Sequence, residues 1–375
     1  MITAFFDDPG RAIVAIGALV GIAAALPGTF LVVQRRSMLT DAIGHAALFG
    51  IVLAFLVTRD LHSPWLLAGA TAAGVLTVVL TRAVEATRLV RNDAAIALVF
   101  PALFAGGILL INLFARDAHL DADVVLLGEI AFAWLTVTTV AGATVPTTFL
   151  VLAVVATINA LFVAAFWKEL VLSSFDPESA RALGRAPGTL TMALLACTSL
   201  TAVAAFEAVG SVLFVAFVVA PVGTGLLLAD RMSRVLALAL LVAVGASALG
   251  YEAAVALDTA IGPAMALVAG ATTLAALLLS PRHGAIASAL RLRGARQRDD
   301  VRALVVHLDS HRDAPDGLRE NTPDDLERHL GWTAARARRI TSRARRTGLV
   351  EPGVEPLVLT DEGTSEAARL APPRA

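Results

Sequence analysis

An aspartate and a histidine four residues apart stand out in an apolar stretch near the N-terminus. Asp41 and His45 lie in TDAIGHAALFGIVLAFLV, just after the arginines Arg35 and Arg36. If the stretch is helical, positions i and i+4 share a face, so the carboxylate and the imidazole point at the same space. Such ionisable groups are costly in lipid and normally line a path or find partners. Carboxylate with imidazole suits Mn, Fe or Zn, which predicts a divalent-metal site; the alternative is a pair that ties helices together.

Composition indicates a membrane protein whose last quarter differs from the rest. Of the 375 residues, 57% are hydrophobic and 16% charged, which is too apolar for an ordinary soluble protein. The residues from Pro281 onward nevertheless hold 17 of the 30 Lys and Arg and 14 of the 31 Asp and Glu. We therefore predict a transmembrane domain over 1–280, a basic linker over 281–298 and a soluble domain over 299–375. The single cysteine, Cys197, excludes an intrachain disulfide and a thiolate metal cluster.

Nine apolar runs are long enough to span about 30 Å of hydrocarbon. We interpret them as helices, because an open sheet cannot satisfy its backbone in lipid. This predicts an all-α polytopic membrane protein, with residues 122–145 as an outer interfacial or re-entrant piece. The boundary between the sixth and seventh runs is weak, since only Glu207, Gly210 and Ser211 interrupt the apolar sequence. The runs cover residues 11–33, 39–57, 64–84, 94–114, 146–167, 189–207, 209–229, 234–254 and 260–280.

The charges of the loops predict an orientation in the cell membrane. Placing the N-terminus outside leaves only Arg11, Arg59 and Arg116 among the loop cations on the outer side. The positive-inside rule therefore favours an outer N-terminus and a cytoplasmic C-terminal domain.

The stretch from Lys168 to Pro187, KELVLSSFDPESARALGRAP, predicts a short amphipathic helix in a cytoplasmic loop. Asp176 followed by Pro177 is typical of a helix N-cap with a first-turn proline, and Gly184 ends the helix. Such a helix lying along the membrane suits a permease that receives force from a partner. The alternative is an ordinary capped surface helix.

Five stretches in this order resemble the integral membrane permeases of zinc, manganese and iron ABC importers, over residues 11–280. They are RRSMLTDAIGHAALFGIVLAF, NDAAIALVFPALFAGGILL, DADVVLLGEI, KELVLSSFDPESARALG and VGSVLFVAFVVAPVGTGLLLADR. The resemblance implies a fold like that of the vitamin B12 importer permease, with Asp41 and His45 at the family's metal-path carboxylate and histidine. The chain has Gly44 where the family usually has serine, and Phe49 where proline is common. The coupling helix implied by the resemblance includes Phe175, Asp176, Pro177, Ala180 and Gly184.

The same resemblance implies partners and no permanently bound cofactor, the Mn, Fe or Zn ion being cargo. It implies a separate ATPase, an extracytoplasmic metal-binding lipoprotein or periplasmic binding protein, and a second permease subunit, either a copy or a paralogue. The chain has no G-x-x-x-x-G-K-[ST] loop, and its one lysine, Lys168, follows no such glycine run. We therefore expect a transport subunit that is not an enzyme.

Two further acidic residues are candidates for the metal path. Glu207 precedes AVGSVL, and Glu252 follows Tyr251 near the end of the eighth run. Because both lie near predicted span ends, each is also a candidate to pair with an arginine at a helix end.

Residues 299–370 resemble the winged helix-turn-helix of metal-dependent repressors. Helices are predicted over 301–308, from Thr322 to about Gly331 and over 333–346, and LVEPGVEPLVLTDEG predicts a hairpin wing. No cysteine, histidine or carboxylate ligand follows Leu370, so we do not expect metal sensing by the repressor mechanism. The third helix is strongly basic, which suits a DNA reader, although protein contacts and a membrane-facing role would look the same. The candidate DNA-contacting residues are Arg338, Arg339, Arg343 and Arg345.

Three functions fit the sequence: a permease for a divalent metal, a permease of the same fold for a metal chelate or corrinoid, and a membrane-anchored DNA-binding regulator. The pair Asp41 and His45 favours the first over the second, since a chelated metal offers these side chains no open position.

Overall fold

The computed structural model describes residues 5–60, 63, 65–114, 129–140, 142–282, 284–312, 321–322, 326–353 and 355–370. The chain divides into two compact units, Met1–Gly284 and Ala285–Ala375. The division falls four residues beyond the predicted end of the transmembrane domain.

The first unit is a bundle of long apolar helices with one small hairpin. Its elements are α1 (Pro9–Val33), α2 (Met38–Thr58), α3 (Trp65–Ala86), α4 (Asn92–Phe114), β1 (Val137–Val140), β2 (Ala143–Pro146), α5 (Thr147–Ala165), α6 (Trp167–Phe175), α7 (Pro177–Ala182), α8 (Pro187–Leu228), α9 (Met232–Leu257) and α10 (Ile261–Leu279).

Nine helical segments in the described residues are long and apolar enough to cross a membrane, and α8 supplies two of them. Their ends lie within a few residues of the nine predicted runs, so the predicted helical membrane fold is confirmed. The weak boundary is a break inside α8 at Gly210, where φ is 72° and ψ is 172°. A residue without Cβ takes such angles at little cost, which explains how two spans follow one another without a loop.

Helices α1 and α8 form the centre of this bundle. The buried positions Ala12, Ile16, Val20 and Ala24 recur every fourth residue along α1 and place one face of that helix in the core. A Cβ atom at Gly28 would lie 2.9 Å from the carbonyl oxygen of Val218 in α8. Glycine therefore permits the close approach of these two helices.

A proline in α1 is compensated by a buried asparagine in α5. Pro27 has no N–H, so the carbonyl of Ala23 one turn earlier has no donor within its own helix. The Asn159 Nδ2 group donates to that carbonyl oxygen at 2.9 Å and to the Thr201 hydroxyl of α8 at 2.7 Å. Asn159 is 1% exposed and thus links three helices inside the bundle.

Strands β1 and β2 form an antiparallel hairpin in which Val137 faces Pro146 and Val140 faces Ala143. This hairpin was not predicted within the proposed interfacial piece at 122–145. Residues 115–128 lie outside the described part of the chain, so the first part of that piece has no structural account. Turns occupy 130–135 and lead into the hairpin.

The second unit has its own hydrophobic core. Its helices are α11 (Ala285–Ser310), α12 (Leu326–Leu330), α13 (Ala334–Arg346) and α14 (Asp361–Leu370). Between α13 and α14, Val350 and Leu359 form an antiparallel bridge. Helix α11 runs through both the predicted basic linker and the predicted first helix, so the basic stretch is helical rather than an irregular tether. The core includes Leu304, Leu326, Ile340, Val350 and Leu357.

Candidate metal site and coupling segment

The structure brings Asp41 and His45 together on α2, as their spacing predicted. The distance from Asp41 Oδ1 to His45 Nε2 is 3.4 Å. The side chains are 45% and 28% exposed respectively, so both remain accessible within this chain. A carboxylate oxygen and an imidazole nitrogen are therefore available next to each other on an apolar helix.

Two phenylalanines of α4 hold the His45 ring. Phe100 stacks on it at a centroid distance of 5.8 Å, and Phe104 meets it edge-on at 5.8 Å. The two phenylalanines are themselves four residues apart and so share one face of α4. Neither phenylalanine was among the residues predicted for the site, although their spacing in FPALF indicates a shared helix face. Their contacts restrict the imidazole orientation and give the site an apolar wall.

The two departures from the expected family pattern have structural explanations. The Phe206 ring of α8 occupies the space that a Cβ atom at Gly44 would need. Phe49 packs where α4 has consecutive glycines, and a Cβ atom at Gly107 would lie 3.1 Å from the Phe49 backbone nitrogen. Gly44 of α2 and the paired glycines of α4 opposite Phe49 therefore allow close contact between α2 and its neighbours.

The assignment of the two predicted glutamates to the metal path stays a prediction. Glu252 is exposed on α9, and the side chain of Glu207 lies outside the described part. Within the described ranges, no group of three or more His, Cys, Asp and Glu residues is arranged to hold a metal ion. If Asp41 and His45 were to bind a metal ion, two protein ligands would leave most of its coordination positions open.

The predicted coupling segment, residues 175–184, contains α7, and both ends of this helix are well defined. The backbone N–H of Ser179 donates to Asp176 Oδ1 at 2.9 Å, and Pro177 begins α7. Hydrogen bonds from the Ser179 side chain and then from its backbone hold the pKa of the Asp176 carboxyl below its ordinary value. At the other end Gly184 has φ +73°, and the N–H of Arg185 bonds the Ala180 carbonyl at 2.9 Å. This is a Schellman ending, which fixes the length of the helix.

Exposure distinguishes the residues of this segment. Ala180 is fully buried, so its side chain packs within this chain and offers no surface to a partner. Phe175 and Leu183 are 65% and 70% exposed. These two exposed apolar side chains lie at the two ends of α7, and Leu183 was not among the predicted residues.

The four candidate arginines of α13 differ in their surroundings. Arg338 and Arg339 are exposed, whereas Arg345 is half-buried. Arg343 donates to the Gln297 side-chain oxygen of α11. Arg338 and Arg339 are thus the two side chains of the four best placed to meet a polyanion.

Three histidines gather in the second unit. The rings of His307 and His311 on α11 lie 4.4 Å apart between centroids, and His329 lies 5.6 Å and 5.8 Å from them. The His311 Nδ1 atom lies 2.9 Å from the His307 carbonyl oxygen. The three rings pack against one another at tilted angles, and within the described ranges they form no group that could hold a metal ion.

Comparison with known proteins identifies the class to which the bundle and its polar pair belong. Residues 10–280 match the ABC 3 transport family. The chain belongs to this family, which makes it a multi-pass membrane transport protein and not itself an enzyme.

Individual relatives cover most of the chain. It is 39% identical over 359 residues to the zinc transport system membrane protein TroD of Treponema pallidum (strain Nichols), covering 96% of this chain and 98% of the relative. It is 40% identical over 280 residues to the manganese transport system membrane protein MntD of Bacillus subtilis (strain 168), covering 74% and 95%. The TroD match is long enough to extend into the second unit.

Among solved structures, the chain is similar to PsaBC from Streptococcus pneumoniae in complex with Fab. The TM-score is 0.62 at 25% identity, and the match covers 76% of this chain and 98% of the solved one. The first unit therefore shares its fold with this solved structure.

Proposed function

We propose that this chain is the membrane-spanning subunit of an ABC importer for a divalent transition metal, Mn, Fe or Zn. The observation that carries the proposal is the Asp41–His45 pair, with its oxygen and nitrogen 3.4 Å apart on an apolar helix. The zinc and manganese named in TroD and MntD support a metal cargo without selecting between the two metals.

The pair handles the cargo through charge and ligand type. The Asp41 carboxylate offsets part of the cost of bringing a dication into an apolar bundle, and neutral His45 donates its ring nitrogen lone pair. Phe100 and Phe104 keep the imidazole turned toward its partner carboxylate. With few protein ligands, the ion is held weakly enough to move on.

Partners complete the importer. The surface made by Phe175 and Leu183 beside α7 docks on a separate ATPase, since the chain itself carries no phosphate-binding loop. An extracytoplasmic binding protein delivers the metal, and a second permease subunit, a copy or a paralogue, forms the other half of the path. The loop charges support an outer N-terminus with α7 in the cytoplasm.

The second unit is a winged helix that modulates the importer. Its support is the order of α11, α12 and α13, the Thr333 cap of α13 and the bridge from Val350 to Leu359. The first unit contains nine candidate spans in its described residues and the α7 segment, so the path does not need the second unit. Truncation after Gly284 should therefore leave uptake in place and alter its regulation. Loss of all uptake on that truncation contradicts the modulator role.

Metal uptake by the reconstituted complex tests the main proposal. Asp41→Asn and His45→Ala should each reduce uptake of isotopic Mn, Fe or Zn to background while the complex still assembles. Asp93→Asn is the matched control, because Asp93 is also in the first turn of its helix, α4. Normal uptake by both Asp41 and His45 variants would falsify the assignment. Retained uptake of a pre-formed chelate alone would favour the chelate permease instead.

A further inference from the structure

Gln34 lies at the junction of three helices, α1, α6 and α8. It is the C-cap residue of α1, and its side chain reaches both helices that flank α7. Its Nε2 group donates to the Ser174 hydroxyl of α6 at 3.1 Å. Its Oε1 atom accepts from the Thr191 hydroxyl of α8 at 3.2 Å. One amide side chain thus links α6 and α8, the two helices on either side of α7 and here called its stems, to the end of α1.

The stems are held close to α7 itself. Ser174 precedes the Asp176 cap by two residues, and Thr191 lies in the first turns of α8, where its hydroxyl also donates to the Pro187 carbonyl at 2.9 Å. The Glu169–Arg185 ion pair, 3.1 Å long, closes the loop between the same stems. A displacement of α7 therefore moves both partners of Gln34.

An apolar contact supports the same junction. The ring of Phe30 in α1 meets that of Trp167 in α6 edge-on at a centroid distance of 5.7 Å, and Leu170 of α6 is fully buried. Helix α6 is thus in contact with α1 near both of its ends, through Trp167 at its start and through the Ser174–Gln34 hydrogen bond near α7.

On its other side Gln34 is joined to α2 by a short hydrogen-bonded turn. Arg35 has φ +57°, and the N–H of Arg36 bonds the Leu31 carbonyl at 2.8 Å. Met38 then begins α2, and Asp41 lies in its first turn. Because only three residues lie between Gln34 and Met38 and the turn is hydrogen-bonded, a movement of Gln34 is passed directly to the helix that carries Asp41 and His45.

We infer that Gln34 is a positioning residue that transmits movement of the ATPase-docked α7 to the start of α2, where Asp41 and His45 lie. The inference rests on the proposed importer function and concerns how that function is coupled to ATP hydrolysis. Gln34 neither touches the cargo nor contributes a ligand in this role. It keeps the stems of α7 and the α1–α2 turn moving as one body.

The ratio of metal taken up to ATP hydrolysed tests this role in the full reconstituted complex. Gln34→Leu keeps the side-chain size and removes both hydrogen bonds. Substitutions within a coupling network change coupling by about 2- to 30-fold, so we expect the ratio to fall about fivefold while hydrolysis and co-purification with the ATPase are retained. Ser174→Ala should lower the ratio in the same direction. The double variant should show no further loss beyond that of Gln34→Leu, since Gln34→Leu already removes the hydrogen bond to Ser174.

Thr189→Val is the matched control, because Thr189 is exposed in the first turn of α8 and makes none of these contacts in the described structure. It should leave the ratio unchanged. A parallel fall of uptake and hydrolysis in Gln34→Leu, or an unchanged ratio in both Gln34→Leu and Ser174→Ala, overturns the coupling role. A wild-type complex that takes up no metal overturns the proposed function, and with it this inference.

Discussion

The Phe206 ring of α8 fills the space beside Gly44 of α2 that any larger residue would need. A Cβ atom at Gly44 would overlap the tip of this ring, and Phe206 is itself 3% exposed and packed edge-on against Phe214. Because Gly44 immediately precedes His45, this contact fixes how closely α2, the helix that carries Asp41 and His45, approaches α8. The serine common at this position in the family is incompatible with Phe206 as it is placed.

Gly44→Ser should therefore destabilise the subunit by about 1–3 kcal/mol, the usual cost of overpacking a core. Replacing the Phe206 ring with the smaller side chain of leucine should recover part of the lost stability in the Gly44→Ser, Phe206→Leu double variant. Thermal unfolding of the purified protein in detergent measures both effects. Gly245→Ser is the control, since a Cβ atom at Gly245 meets nothing within 4 Å. Equal losses at Gly44 and Gly245 would contradict the steric account.

The proline in α1 and the asparagine in α5 provide a second pair of linked substitutions. Asn159→Leu leaves the Ala23 carbonyl without a donor, and we expect it to lower stability by about 1 kcal/mol. Pro27→Ala supplies the missing helical N–H, so the double variant should be more stable than Asn159→Leu alone. Thermal unfolding again measures the difference.

An exposed asparagine controls for the loss of the amide itself. Asn112 donates to the Ile108 carbonyl, which already accepts from the helix backbone, so Asn112→Leu leaves no orphan acceptor. It should change stability little. If Pro27→Ala fails to improve the Asn159→Leu variant, the pairing of the Ala23 carbonyl is not what Asn159 contributes.

The apolar side chains beside α7 are expected to bind the ATPase. Phe175→Ser and Leu183→Ser should each weaken co-purification of the ATPase and leave the thermal stability of the permease unchanged, because both side chains are exposed in this chain. Leu257→Ser is a matched change at the end of α9, where the leucine is 73% exposed. Ala180→Glu should behave differently and unfold the segment, since Ala180 is fully buried. Undiminished ATPase binding by both serine variants places the contact elsewhere.

The features that could be predicted from the sequence are those that depend on a single segment of the chain. Apolar length predicted the nine spans, the i, i+4 spacing predicted that Asp41 and His45 share a face, and Asp176 with Pro177 predicted the start of α7. Each of these signals is local: it depends on transfer into lipid, on helix periodicity or on a cap.

The features that the sequence did not reveal depend on a second segment. The ring of His45 is oriented by Phe100 and Phe104 of another helix, and Ala180 is buried only because the rest of the bundle covers it. The hydrogen bond from Asn159 to the Ala23 carbonyl joins positions 136 residues apart. The residue pattern within one helix does not predict its contacts with a distant segment. The helical continuity of α11 was missed for another reason, because its arginine-rich first half resembles a surface linker in composition.

The exposed arginines of α13 give the last prediction, which concerns DNA binding by the second unit. If residues 285–375 bind DNA, Arg338 and Arg339 should contact phosphates, because both side chains are exposed on the helix. Each phosphate contact contributes about one unit to the slope of log affinity against log salt concentration. Arg338→Gln and Arg339→Gln should each make that slope shallower by about one unit, and the double variant by about two.

A gel-shift series across salt concentrations measures these slopes. This fragment follows the boundary between the two units and retains the complete core of the second unit. Arg369→Gln is the control: Arg369 of α14 is 79% exposed and lies 3.7 Å from Glu366, so its charge is already partly balanced. Its loss should change the slope less than the loss of Arg338 or Arg339. Absence of salt-sensitive binding in the unsubstituted fragment would rule out DNA contact and leave protein interaction as the role of this unit.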